Sequence, residues 1–390
     1  MPKPMDVEEL AAEVSRSSFA DERLNKRLES LIRGLGEQAD LSLPQAFDSA
    51  GLEGAYRFFS NPRVTPDEIL GSHYEATRDR CQREKEFLVL HDSTQFSFRV
   101  DGERRGLGRL RKSSQSFFGH VSLALRADGT RMPLGVAGLT TWARGPKPSG
   151  TEYQRWGRQT KETSVRLGGV EKAIHVMDRE ADDYEMFADL VEGRHRFVVR
   201  SLYNRWTEEE CGKEKLRDVF ARTEVLVGRE AQLTSRRAKR APSRARIHPS
   251  RAARTATLYV AARTVHLKCP ASRRQHGHPS PPTLAINVVR VWEPDPPAGA
   301  APIEWFLFTT ESVSTPEQAL AVVDHYRARW TIEEFFKAIK TGCAFEQPAS
   351  GLRIARQRSR CFCSDCLSTP FDPLRSKAHP RGKCRTARLV

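Results

Sequence analysis

The stretch KAIHVMDREADDYEMFADLVEGRHRFVVRS, Lys172–Ser201, decides the fold class of this chain. It opens with a short apolar run, too brief for a helix, that ends in an acid, Asp178. DDYEMFADLVEG then reads as a helix and HRFVVRS as a further strand, and strands followed by helices point to an α/β layer. Upstream, FLVLHD (Phe87–Asp92) is a second apolar strand that runs into an acid. HVSLALRADGTRMPLGVAGLTTW (His120–Trp142) alternates as two strands joined at Asp128-Gly129.

Nearer the start, FADERLNKRLESLIRGL places Phe19, Leu24, Leu28, Leu31, Ile32 and Leu35 at helical spacing, so residues 6–37 read as helices. A second helical patch, GLEGAYRFFSN, stops at Asn61-Pro62, and Thr65-Pro66 offers a new start. Together these predict a small, basic, helical N-terminal domain over 1–75. The α/β core then begins at 76–202. Over 203–300 the pattern loosens into β-like stretches, TATLYVAARTVHL and TLAINVVRVWE. They flank a run from Ser235 to Arg254 that holds eight Arg or Lys and no acid. That reads as a β-rich insertion with a basic loop, either simply solvated or in contact with phosphate. The core resumes over 301–347 with the buried strand IEWFLFTT and helices from about 315 to 342, led by Pro316.

The formal charge of +15 favours a polyanionic partner, of which nucleic acid is the commonest. At 38% hydrophobic and 29% charged residues, the composition suits a soluble globular protein. No run of 18 apolar residues speaks for a membrane span, and MPKPMDVEELAAEV lacks the apolar segment of a secretory signal, so a cytoplasmic location is expected.

YRARWTIEEFFKAIK, Tyr326–Lys340, places Tyr326, Arg329, Glu333 and Lys340 at offsets of zero, three, seven and fourteen. At 100° per residue they share an arc of about 60° on a regular helix. Such a stripe is either a solvated face with i,i+4 ion pairs or a surface that holds a metal ion beside phosphates. Asp92 and Asp178, each closing an apolar strand, could join Glu333 as three carboxylates around two divalent ions, the arrangement that drives in-line displacement at phosphorus. Oxygen ligands of this kind suit Mg²⁺, with Mn²⁺ as its substitute. Alone, each Asp could equally be a strand-end acid or a helix cap.

With these residues in view, the chain resembles the DDE transposases of the IS-four type, most closely the transposon-five transposase group. The family's Tyr–Arg–Glu–Lys signature is matched by Tyr326, Arg329, Glu333 and Lys340. MDREADDYEMF resembles its second block, LVLHDST its first, and RFVVRS, DERLNKRL and EGAYRFFSNP are similar as well. The resemblance covers roughly residues 10–347. It implies a ribonuclease-H-like catalytic core with a β-rich insertion and a small helical N-terminal domain that binds transposon ends. It implies a cut-and-paste reaction by phosphoryl transfer on double-stranded DNA: nicking, hairpin formation, hairpin opening and strand transfer to target DNA. Asp92, Asp178 and Glu333 would be the catalytic metal ligands. Trp305 would receive a flipped base, and Tyr326, Arg329 and Lys340 would hold the nearby phosphate. Arg23, Lys26 and Arg27 are candidates for end-DNA phosphates, and the working form would be a homodimer in a synaptic complex. The other reading keeps the basic surface without the chemistry: a DNA-binding remnant that lacks the dimerisation region.

After about residue 347 the familial texture stops. The segment 348–390 holds ten Arg or Lys against two Asp and no sustained period, and by composition it should be disordered. Cys361, Cys363, Cys366 and Cys384, with His379, could be read as a zinc site. An out-of-frame translation of GC-rich DNA gives this same texture, in which case the cysteines are accidental. A leucine-rich helix in an alternative reading frame would establish that explanation, and its absence from both would remove it.

Overall fold

The computed structural model describes residues 7–14, 19–38, 41, 43–99, 107–111, 114–143, 152–210, 212–235, 251–271, 280–300 and 302–342. The predicted tail 348–390 and most of the basic loop after Ser235 lie outside the described residues. Two compact units emerge. One holds the described residues up to Ala173 and those from Thr331 onward, and the other holds Ile174–Trp330.

In the first unit, helices α1 (Val7–Val14), α2 (Glu22–Glu37), α3 (Leu43–Ala46), α4 (Ser49–Ser60) and α5 (Pro66–Arg83) come first. The local sequence explains their ends. Asp21 caps α2 by accepting from Arg23 N, and Asp48 caps α4 by accepting from Gly51 N. Thr65 and Glu68 form a reciprocal capping box with Pro66 in the first turn of α5. Leu28, Leu31, Ile32 and Leu35 are the buried stripe of α2, as their spacing predicts. Residue 75 falls inside α5, which carries on to Arg83.

Strands β1 (Phe87–Arg99), β2 (Gly108–Arg111), β3 (Ser114–Arg126) and β4 (Pro133–Trp142) follow. β3 pairs antiparallel with β1 along one edge and with β2 and β4 along the other. The β3–β4 turn falls at Asp128-Gly129, where Gly129 has φ +83°. Phe96 and Phe98 stack on Phe117 across β1 and β3. Helix α6 (Glu152–Arg166) buries Trp156 completely.

The second unit begins at Ile174, within β5 (Ala173–Met177), every residue of which is buried. A 3₁₀ turn (Arg179–Ala181) and α7 (Tyr184–Glu192) lead to β6 (Arg196–Arg200), which pairs parallel with β5. This is the strand–helix–strand unit expected of Lys172–Ser201. Phe187 of α7 stacks on Phe197 and tilts onto Phe308, closing the helix over the sheet. The remaining strands are antiparallel: β7 (Trp206–Glu209), β8 (Gly212–Lys215), β9 (Val227–Leu233), β10 (Arg254–Lys268), β11 (Thr283–Trp292) and β12 (Glu304–Thr309). Their order from β6 is β12, β11, β10, β7 and β8, with β9 also on β10. A short α8 (Leu216–Ala221) lies within the predicted insertion.

Helix α9 (Pro316–Ala328) starts with a second capping box, Thr315 with Gln318, and Pro316 in its first turn. It does not run on to Lys340. Arg329 N bonds to Tyr326 O three residues back, α10 (Trp330–Lys337) begins afresh, and a π turn occupies Ala338–Gly342. The expectation of one regular helix over Tyr326–Lys340 is thus corrected, because tighter and wider turns step differently from 100° per residue. Tyr326 and Arg329 belong to the second unit, Glu333 and Lys340 to the first.

Candidate functional site

In the second unit, Asp178 follows directly on β5, and Arg200 is the last residue of its parallel neighbour β6. The last paired residues are Met177 and Val199, so Asp178 and Arg200 lie one step beyond them at the carboxyl ends of two parallel strands, where α/β sheets bind ligands. β12 runs antiparallel along β6 with Leu307 opposite Arg200. Trp305 is therefore the diagonal neighbour of Arg200, whose guanidinium lies 5.7 Å from the indole centroid. The Trp305 ring meets Tyr326 of α9 edge-on, centroids 5.5 Å apart.

Burial pushes the Tyr326 phenol above its ordinary range, against the pull of the Arg200 and Arg329 cations and with some push from Asp178. Arg200 also hydrogen-bonds the phenol oxygen. Three of the sequence candidates, Asp178, Trp305 and Arg329, thus gather around a fourth, Tyr326, together with one residue that sequence reasoning missed, Arg200. An apolar recess lined by Leu233, Leu258, Ile303, Trp305 and Val323 adjoins the indole, with Arg229, Gln232 and Arg327 also in its walls. Asp178 accepts from Glu180 N at 2.7 Å and caps the 3₁₀ turn, while Asp183, not Asp178, caps α7.

In the first unit, Asp92 does not end its strand. β1 continues seven residues past it to Arg99, paired with β3 throughout, so Asp92 sits mid-strand. The earlier boundary followed the end of the apolar run, but β3 supplies the pairing that extends the strand over polar residues. The neighbours of Asp92 are tied to β3: Ser93 Oγ lies 2.8 Å from His120 Nδ1, and His91 Nδ1 lies 3.0 Å from Ser122 Oγ. Gln159 of α6 donates to Ser122 Oγ at 2.8 Å. Desolvation lowers the His120 pKa to about 3, so the imidazole is neutral at physiological pH. Lys340 donates from Nζ to Gln95 O at 2.8 Å, three residues along β1 from Asp92, with its ammonium 5.2 Å from the Phe96 ring centroid. Glu333 is half-buried in the first turn of α10.

The donor chemistry of Asp92, Asp178 and Glu333, oxygen alone, fits a hard divalent ion. Among the described residues, no group of three or more His, Cys, Asp or Glu is gathered to hold a metal ion. No helix among them is long and apolar enough to cross a membrane. On α2, Arg23 is almost fully exposed and Lys26 is exposed, while Arg27 lays its guanidinium against α4 where Gly54 leaves room for it.

Residues 8–64 match the family model described as transposase DNA-binding. The helices α1 to α4 are therefore similar to the DNA-binding segment of transposases. Among solved structures, the chain matches a cryo-EM structure of the piggyBac transposase synaptic complex with hairpin DNA at 10% identity and a TM-score of 0.37, over 93% of this chain and 71% of that one. A likeness at that level does not establish a shared fold.

Proposed function

We propose that this chain is a cut-and-paste DNA transposase of the DDE, IS-four type. The observation that carries the reading is the match of residues 8–64 to the transposase DNA-binding model. The Tyr–Arg–Glu–Lys spacing and the cluster of Asp178, Arg200, Trp305 and Arg329 around Tyr326 support it. An antiparallel meander in one unit and a parallel strand pair in the other support the ribonuclease-H-like assignment. The N-terminal helices hold the transposon end through Arg23 and Lys26, and the enzyme works as a homodimer on paired ends in the cytoplasm.

Asp92, Asp178 and Glu333 would hold Mg²⁺, or Mn²⁺ in its place, and the ion would supply charge neutralisation at the reacting phosphorus. The chain's own groups do the positioning. Arg200 and Arg329 grip a backbone phosphate, and the protonated Tyr326 hydroxyl can donate to it. Trp305 and its apolar recess receive the base that a sharply bent strand must expel, offsetting part of the unstacking cost. Lys340, fixed against β1, adds a point charge.

The test is cleavage of end-sequence DNA, taken from the repeats flanking the gene, in Mg²⁺. Nicking and hairpin formation are expected from the wild type. Glu333→Gln should lose both and keep its affinity for the end. End binding without nicking by the wild type would instead establish a catalytically inactive remnant.

A further inference from the structure

The hairpin β7–β8 presents a charged aromatic face that the site above does not use. The registers Trp206↔Lys215 and Glu208↔Lys213 put these four side chains on one face. The opposite face carries Thr207, which is fully buried. Trp206 is 41% exposed, unusual for a residue of its size, and its neighbour Tyr203 is 58% exposed. Over the Trp206 ring stand two ammonium groups, Lys213 Nζ at 4.1 Å and Lys215 Nζ at 4.0 Å from the centroid. Lys215 also donates to Asn204 O at 3.1 Å, which fixes its head.

The carboxylates on the two strands of the hairpin are engaged elsewhere. Glu208 pairs with Lys268, Glu209 with Arg263 at 3.0 Å and Glu214 with Arg222 at 2.6 Å. Among the described residues neither Lys213 nor Lys215 pairs with a carboxylate. Two cations are thus held together on an exposed indole while the one carboxylate across from them, Glu208, is taken by Lys268, which favours a dianionic or repeating anionic partner.

We infer that Trp206, Lys213 and Lys215 form a two-pronged grip on the phosphate backbone of duplex DNA, separate from the Arg200 cluster. This rests on the transposase reading. The duplex is favoured over a single strand because the ring carries two ammonium groups, so Trp206 organises charge and does not offer a bare platform for an unpaired base. The contact reads no bases and should act alike on any sequence.

The experiment compares the wild-type chain with Lys213→Gln/Lys215→Gln, Trp206→Leu and Trp206→Phe, titrated against duplexes of end and unrelated sequence and against a single strand. Two lost phosphate contacts flatten the slope of log affinity against log salt by about 1.8. Between 50 and 200 mM salt the wild type should then lose about 12-fold more duplex affinity than the double lysine variant. Trp206→Leu should weaken duplex binding with the charge unchanged, and Trp206→Phe should restore most of it. A general structural defect would lower the binding-competent fraction and leave the slope alone. An unchanged slope in the lysine variant, or an effect confined to the single strand, overturns the inference. Failure of the wild type to bind any DNA overturns instead the function on which it rests.

Discussion

Replacing Glu13 by glutamine removes a charge that ties the N-terminal helices to the β-meander within the first unit. The Glu13 side chain is 8% exposed and accepts from Arg80 Nη1 at 2.8 Å and from His73 Nδ1. His73 Nε2 accepts from Val136 N at 2.9 Å, which assigns the ring proton to Nδ1, facing the carboxylate. Arg80 Nε donates to Leu134 O. One carboxylate on α1 therefore organises two side chains of α5 that hold β4. Breaking a buried pair by removing one partner costs about 3–5 kcal/mol. Arg80 keeps its bond to Leu134 O and is a quarter exposed, so the low end, about 3 kcal/mol, is expected.

Because α1 is an eight-residue helix that cannot stand alone, the loss should appear first as its detachment. Hydrogen exchange of a peptide covering Val7–Val14 should quicken about 150-fold, the equivalent of 3 kcal/mol. A double-mutant cycle with Arg80→Gln isolates the pair from other effects. Unchanged protection of α1, with zero coupling to Arg80, would refute the reasoning. The pH dependence follows in sign. Desolvation raises the Glu13 pKa, but the hydrogen bonds from His73 and Arg80 and the charge of Arg80 outweigh it, and the folded carboxyl lies below its ordinary value of 4.5. The stabilisation is fully present above that value and is lost as pH falls through the folded pKa. The glutamine variant should lack this acid limb.

Further perturbations test other parts of the structure. Gly135 has φ +139°, and an added Cβ would overlap the Thr77 hydroxyl and come within 2.9 Å of Arg80 Nη2, so Gly135→Ala should cost about 2–4 kcal/mol in urea unfolding. Burial pushes the Cys81 thiol up to about 12, leaving roughly one molecule in 10⁴ as thiolate at pH 8, so iodoacetamide should modify Cys81 only after unfolding. Trp305→Ala should slow hairpin formation about 5- to 150-fold while leaving the first nick unaffected, since one base–aromatic stack contributes about 1–3 kcal/mol. Arg200→Ala should weaken hairpin formation as well, and Arg200→Lys should restore it only partly, because a point charge does not reproduce the guanidinium fork.

Much of this was legible in the chain because the signals are local. The capping boxes at Thr65 and Thr315, the buried stripe of α2 and the strand–helix–strand order of Lys172–Ser201 depend on residues three or four apart, or on a period read within one element. The same holds for Asp178 at its strand end. What sequence could not supply were features made by partners distant in the chain. Asp92 looked terminal because the apolar run stops there, yet β3 extends the strand beyond it. Arg200 gave no local sign of its role, since it meets Trp305 only through the β6–β12 pairing, more than a hundred residues away. No glycine or proline marks the interruption at Arg329, and a pattern computed for a regular helix misses it. The sequence by itself determined which residues carry charge, apolar surface and helix ends. Tertiary structure alone decided which charges share a desolvated neighbourhood, because strand pairing and burial join groups that local propensity never brings into contact.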